Sequence, residues 1–250
     1  MDVPLFELDG TEADRVELPE VFETEYRPDL IRRAFVVTQA NSTQPKGADP
    51  LAGRRTSAES FGAGRGIAMV PRSNNRGRRV PQTVGGRRAH PPKAEADTSK
   101  AMNKHERQLA NRSAIAATAD GELVRERGHR VSEEMAYPIV IDDAFEELNK
   151  TKDVVEALEA LGLGDDLERA ERNRKRRAGR GTTRGRPNRQ PTSVLVVTSS
   201  EVGPSRGARN IPGVDVATAI DVGVSELAPG GHPGRLTLFT ASALEEVSER

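Results

Sequence analysis

Ser193-Val194-Leu195-Val196-Val197-Thr198 is a near-continuous aliphatic run with no polar residue between its ends. A strand with one wet face alternates apolar and polar side chains. A run that does not alternate must be covered on both faces, as in a parallel sheet between helices. Working outward, Arg235–Thr240 (RLTLFT) and Tyr137–Ile141 (YPIVI) read as further buried strands. Val214–Val216 reads as a short strand, and Pro4–Leu8 as an edge strand followed by an acidic turn at Asp9-Gly10.

Helical spacing fills the intervals. Pro28-Asp29 opens a helix carrying Leu30, Ile31, Ala34, Phe35 and Val37. Asn103 is placed to cap an Ala-rich helix reaching about Asp120, with Glu106 as its capping-box partner. Thr151 starts another helix, with Val154, Val155, Leu158 and Leu161 on one face, and Gly162 stops it. Gly203–Asn210 suits a short helix. Thr240 or Ser242 is expected to cap a last helix through Leu244 and Val247. Strands alternating with helices predict an α/β fold: a single globular domain with a mostly parallel central sheet flanked by helices. That body comprises residues 1–44 and 94–250.

Between residues 45 and 93 the pattern stops. Leu51, Phe61, Ile67, Met69, Val70, Val80 and Val84 are scattered through Gly, Pro, Ser, Asn and Arg with no period. Nearly fifty residues without a core are too long for an ordinary connection. The stretch reads as an extended internal arm, either disordered or ordered by a partner.

Charge is segregated in the same way. The 250 residues hold 38 basic and 38 acidic side chains. Lys46–Lys93 holds eleven basic and two acidic residues, or +9, and Glu171–Arg189 holds nine and one, or +8. The other 183 residues hold 18 basic and 35 acidic side chains, or −17. Basic segments on an acidic body seek a polyanion that the rest repels. In the arm arginine outnumbers lysine nine to two, and Arg pairs phosphate bidentately and stacks on bases where an ammonium cannot.

The candidate RNA-binding residues of the arm (45–93) are therefore Arg54, Arg55, Arg65, Arg72, Arg76, Arg78, Arg79, Arg87, Arg88 and Lys93. A second basic segment, 172–190, offers Arg174, Lys175, Arg176, Arg177, Arg180, Arg184, Arg186 and Arg189, just before the strongest strand. A solvated linker competes as the reading of the first segment, and a generic or nuclear-localisation-type basic patch as that of the second.

Phe61-Gly62-Ala63-Gly64-Arg65-Gly66 is the one string that suggests a nucleotide loop. Such a loop needs a strand before it and a helix after it. Arg55–Ser60 is no strand, and Ile67–Pro71 runs into Pro and Arg-rich coil. Gly62, Gly64, Gly66 and Gly77 read instead as points where backbone approaches RNA closely.

The four histidines, His90, His105, His129 and His232, have no ligand-like spacing, so neither a metal nor a cofactor is expected. No Gly-x-Ser-x-Gly is present, and no catalytic residue is assigned. Asp142-Asp143 and Asp165-Asp166 read as solvated or helix N-terminal charge, and His232 as part of a turn. With no Cys, disulfides and thiolate chemistry are excluded. The apolar runs are far short of the roughly 18 residues of a membrane span, and Met1–Gly10 lacks a signal-peptide pattern. A soluble cytoplasmic protein is expected.

Several ordered motifs resemble one family. They are Glu59-Ser60-Phe61-Gly62-Ala63-Gly64-Arg65-Gly66 with Val70-Pro71, then Arg78-Arg79-Val80-Pro81-Gln82, and Arg88-Ala89-His90-Pro91-Pro92. Asn103-Lys104-His105-Glu106-Arg107 and Leu227-Ala228-Pro229-Gly230-Gly231 follow. Together they resemble ribosomal protein four of the large subunit in its archaeal and eukaryotic form. The resemblance implies a primary binder of 23S-type rRNA that acts early in assembly and contacts several rRNA domains. It implies that the arm penetrates RNA and that its tip, over Gly62–Arg79, lines the peptide exit tunnel. Partners would be rRNA, neighbouring tunnel-lining proteins and the passing nascent chain, on the cytoplasmic ribosome and with no membrane. A neutral chain with an acidic body resembles versions from salt-loving archaea. The alternatives are a non-ribosomal RNA-binding or assembly factor and a nucleotide-using α/β enzyme.

Overall fold

The computed structural model describes residues 2–132, 135–200 and 204–248. The chain begins with β1 (Asp2–Phe6), β2 (Glu12–Glu17) and α1 (Pro28–Ser42), followed by the short strands β3 (Arg72–Ser73) and β4 (Arg76–Gly77). Next come α2 (Lys104–Ala116), α3 (Gly121–Glu126), β5 (Ile139–Ile141), α4 (Thr151–Ala160) and α5 (Gly164–Arg172). After these run β6 (Lys175–Arg176), β7 (Asn188–Arg189), β8 (Leu195–Thr198), α6 (Pro204–Ala208) and β9 (Asp215–Thr218). The chain closes with α7 (Val224–Leu227), β10 (Thr237–Thr240) and α8 (Ala241–Ser248). Its contacts divide it into two compact units, Met1–Gln39 with Ala101–Arg250, and Ala40–Lys100.

In the first unit a six-stranded sheet has the order β2-β1-β5-β10-β8-β9. β2 pairs antiparallel with β1, and the other four pairings are parallel. The expected α/β sheet between helix layers is present. Leu195 and Val197 of β8 enter one apolar cluster, with Val140 and Phe239, under α1, α2, α7 and α8. Val194 and Val196 enter the other, with Ile139, Ile141 and Leu238, under α3, α4 and α6. Cover on both faces is why this strand shows no alternation. Each aliphatic side chain buried there contributes about 1.5–3 kcal/mol. Phe22 packs edge-on to Phe239, with ring centroids 5.7 Å apart. No helix among the described residues is long and apolar enough to cross a membrane.

Several local expectations are corrected. Pro4–Leu8 was read as an edge, but β1 lies inside the sheet and β2 is the edge. β2 (EADRVE) is exposed at all but Val16, and charge along an edge discourages further pairing, so it carries no burial signal. Pro4 is tolerated because pairing with β5 begins only at Leu5. Asn103 makes no side-chain cap; Glu106 accepts from Arg33 Nη1 at 3.2 Å instead. Neither Thr240 nor Ser242 caps α8 with its own side chain. Asp143, distant in sequence, accepts the Ser242 amide at 2.9 Å and also its hydroxyl. The short helix expected from Gly203 begins at Pro204, Gly203 itself lying outside the described residues.

The largest departure is Asp166, read as solvated or helix N-terminal charge: it does stand in the first turn of α5 but is fully buried. Its Oδ1 accepts from Arg169 Nε (2.7 Å) and the Arg130 amide (2.9 Å). Its Oδ2 accepts from Ser193 Oγ (2.6 Å) and lies 3.1 Å from His129 Nδ1. His129 Nε2 accepts the Leu236 amide at 3.3 Å. Nε2 therefore carries no proton, and the ring is neutral with its hydrogen on Nδ1. Serine, histidine and aspartate meet here without forming a hydrolytic triad. Ser193 and His129 both donate to the same carboxylate, and the remaining ring nitrogen is already engaged. The knot is structural, joining α5 to the start of β8.

Burial lowers the His129 pKa, a pull that Asp166 only partly offsets. Burial alone would raise Asp166, but hydrogen bonds from His129, Arg169 and Ser193 hold it well below the usual carboxylate range. Both folded values lie below the unfolded ones. The stability they contribute is thus complete above the ordinary histidine value near 6.5 and lost as pH falls, first at His129 and then at Asp166. Thermal unfolding of the full chain followed from pH 8 to pH 4 should show the His129 part of this decline, the Asp166 part beginning only below its ordinary value of 3.8. Asp166→Asn should cost about 3 kcal/mol at neutral pH by leaving Arg169 without its counter-charge. A substitution that leaves the unfolding midpoint unmoved would contradict the knot.

Candidate nucleic-acid interface

The structure leaves the predicted cations in two segments, each of which contains a short hairpin. In the second unit β3 and β4 pair antiparallel, Arg72 with Gly77 and Ser73 with Arg76. Asn74 and Asn75 close the turn at φ 50° and 61°. Both central residues of such a two-residue turn need positive φ, and Asn tolerates it better than most side chains. Pro71 O accepts the Arg78 amide at 2.7 Å, and Glu59 O accepts the Arg72 amide at 3.0 Å, which adds a third segment. The arm was expected to lack regular structure of its own; two-residue strands leave no period to detect. Its only buried hydrophobic residue is Ala58, so backbone hydrogen bonds, not a core, set its shape.

Arg79 has φ 66°, and its guanidinium donates to Arg54 O and Ala58 O, each at 3.4 Å. Val80–Gly86 then folds tightly. A Cβ on Gly86 would stand 1.8 Å from Val80 O, and one on Gly85 2.0 Å from Arg78 Nη1. Gly77 belongs with them, since a Cβ there would lie 2.5 Å from Thr83 Cγ2. Gly62, Gly64 and Gly66 differ. Their φ values are 81°, 76° and 69°, and nothing lies within 4 Å of an added Cβ. The chain around Arg65 turns left-handed three times in open space, with neither strand before it nor helix after it.

In the first unit the second basic segment, 172–190, contains a hairpin of β6 and β7. Lys175 stands opposite Arg189 and Arg176 opposite Asn188. Gly179 and Gly185, at φ 80° and 76°, again have nothing near them, and Thr182 Oγ1 and Arg186 N close the tip through Arg177 O and Gly181 O. Like charges directly across a ladder are destabilising, so Lys175 facing Arg189 favours a bound anion. Both legs return to the buried knot: Arg169 Nη2 donates to Thr192 O at 2.8 Å, and Ser193 bonds Asp166.

Arg54, Arg55, Arg65, Arg76, Arg79, Arg88 and Lys93 are exposed, whereas Arg72, Arg78 and Arg87 are half-buried. Arg174, Lys175, Arg176, Arg177, Arg180, Arg184, Arg186 and Arg189 are all exposed. Among the described residues, Arg55 with Asp49 is the one ion pair formed by these eighteen cations. Asp166 and Glu146 are engaged elsewhere. Glu146 joins the carboxyl ends of three adjacent strands, accepting from Thr240 Oγ1 (2.7 Å), the Ser199 amide (2.7 Å) and Ser200 Oγ (3.0 Å). In an open parallel sheet that crevice is where nucleotides bind. A carboxylate there repels phosphate and ties up the donors that would hold it.

Residues 16–250 match the family described as "Ribosomal protein L4/L1 family". A protein of Halorubrum lacusprofundi named "Large ribosomal subunit protein uL4" is 60% identical over 250 residues, the whole of both chains. The protein of the same name from Haloarcula marismortui is 54% identical over 250 residues, again the whole of both. That of Methanocaldococcus jannaschii is 52% identical over 251 residues, covering all of this chain and 99% of the relative.

The close approaches at Gly85 and Gly86 generate a test of the arm's own order. Gly86→Ala should strip protection from the Thr83 and Gly86 amides in hydrogen exchange. Gly64→Ala, with open space around it, should leave those amides unchanged and cost about 1 kcal/mol locally for its left-handed backbone. Equal exchange in the two variants would show that the turn does not depend on the missing Cβ.

Proposed function

The chain belongs to the ribosomal protein L4/L1 family, and from that premise we propose that its two arginine-rich hairpins are the surfaces by which it holds large-subunit rRNA. Membership makes it a structural protein of the large ribosomal subunit. The finer reading is a primary rRNA binder that acts early in assembly and touches several rRNA domains. Its arm enters the RNA, and the Gly62–Arg79 tip forms part of the exit-tunnel wall, beside other tunnel-lining proteins and the passing nascent chain.

One observation carries this reading: two hairpins of exposed cations, almost none neutralised by the chain's own carboxylates. Left-handed glycines beside Arg65, Arg180 and Arg184 let backbone and guanidinium reach phosphates together. Salt-loving relatives suggest how affinity survives high salt. At about 1 M the Debye length is about 3 Å, so steering and counterion release count for little. Close, directional Arg–phosphate pairs remain.

Binding of the full chain to large-subunit rRNA fragments, measured from low to multimolar KCl, tests this directly. The affinity should fall much less steeply than for an ordinary basic protein; an ordinary steep slope would sink the short-range reading. Arg65→Ser should weaken binding by about 2 kcal/mol. Removing residues 62–88 should leave thermal unfolding of the remainder nearly unchanged, because neither apolar cluster contains an arm residue, while incorporation into subunits fails. A protein that leaves ribosomes in a high-salt wash would point to an assembly factor instead.

A further inference from the structure

A recess of about 820 Å³ opens at the foot of the second hairpin, within the roughly 300–1,000 Å³ typical of small-ligand sites. Its wall includes Tyr26, Arg127, Arg169, Lys175, Arg189 and Gln190, with one carboxylate, Glu126, among these cations. Lys175 and Arg189 are the like-charged pair facing each other across β6 and β7. Arg127 is held by the carbonyl oxygens of Pro229 (3.1 Å), His232 and Pro233 (3.3 Å), with no carboxylate on it. Burial, with Arg235 and Arg169 nearby, lowers its pKa to about 10, so it stays charged at neutral pH. A cation fixed by neutral dipoles keeps its attraction for an incoming anion.

Two further features narrow the ligand. The Gln190 Nε2 is buried and has no hydrogen-bond partner, and a buried donor left unsatisfied is costly unless an acceptor arrives. Tyr26 is 41% exposed and offers a flat ring face. Cations select a phosphate, an orphaned amide selects an acceptor, and an open ring selects a planar group. A nucleotide has all three.

We infer that this recess seats a single unpaired nucleotide, its phosphate on Arg127 and the Lys175–Arg189 pair, its base on Tyr26 and Gln190. The inference rests on the RNA-binding reading above and adds a place where a base, not only backbone, is held. The nucleotide could be extruded from an RNA strand or free in solution, and the recognising chemistry is the same.

The full chain would be photocrosslinked to an rRNA fragment carrying 4-thiouridine at its unpaired positions, and titrated separately with adenosine monophosphate. Crosslinks should map to the peptides bearing Tyr26 and Gln190. Tyr26→Ala with Gln190→Leu should abolish them and weaken RNA binding about tenfold, the scale of one lost base–aromatic stack. Gln190→Leu alone, which removes an unsatisfied amide, guards against misfolding and should weaken binding in the same direction. Adenosine monophosphate displaced by the RNA fragment assigns the recess to an RNA nucleotide; if it binds the recess and is not displaced, the ligand is a free nucleotide. If the double variant binds RNA as the parent does while Arg180→Ser/Arg184→Ser/Arg186→Ser binds less, the recess inference is overturned and the hairpin reading stands. If neither variant loses affinity, the hairpin reading falls as well.

Discussion

A chain with equal numbers of basic and acidic side chains can hold a polyanion only if its cations are kept from its own carboxylates. The placement of its charged side chains follows from that separation. Attraction between unit charges 4 Å apart near a protein surface is on the order of 4 kcal/mol, so mixed charges on one compact surface would pair and screen one another. Two segments, each containing a short hairpin, hold the cations instead. Their short ladders and turns are set by backbone hydrogen bonds, which need neither a core nor a counter-ion.

The complementary half of the problem lies in the body, where carboxylates are engaged in structural tasks. Asp166 is sealed in the knot below the second hairpin, Glu146 bridges three strand ends, and Asp143 caps α8 from across the sheet. Asp120 accepts the Glu122 amide at 2.9 Å at the start of α3. For Glu146, as for Asp166, burial alone would raise the pKa, and the hydrogen bonds more than offset it. Glu146 and Asp166 stay charged yet have no free oxygen to offer an arginine. The same arrangement closes the crevice that a nucleotide enzyme of this sheet type would use, leaving the glycine string of the arm with no phosphate-binding context.

How much of this could be read in advance follows from the kind of force involved. Ser193–Thr198 announced the sheet because burial on both faces erases alternation, and Val154, Val155, Leu158 and Leu161 announced α4 because burial on one face creates a period. β2 and β6–β7 leave no such mark, being polar on both faces and fixed by backbone bonds and turns. The segregation of charge located both cation segments, since it is a property of composition. Asp166 could not be found that way. Its neighbour Asp165 looks the same in sequence, and only the fold brings His129, Arg169 and Ser193 around one carboxylate and not the other. The signal available was indirect: a serine at the head of the strongest strand, and Arg169 three residues beyond Asp166 on a helix.

The glycines show why spacing alone leads to the wrong chemistry. Gly62, Gly64 and Gly66 cluster like a phosphate loop, whereas Gly85-Gly86 matches no such pattern. The structure separates them by what surrounds a missing Cβ. At Gly86 the carbonyl of Val80 fills that space, so the residue is needed for the arm to pack on itself. At Gly64 the space is empty, and only the left-handed backbone requires glycine. No contact within the chain accounts for that turn. Empty-sided glycines recur beside arginines at the tip of the second hairpin, in Gly179 and Gly185, so the two segments share one construction. In each, left-handed glycines in open space stand next to arginines: Gly64 and Gly66 flank Arg65, Gly179 precedes Arg180 and Gly185 follows Arg184.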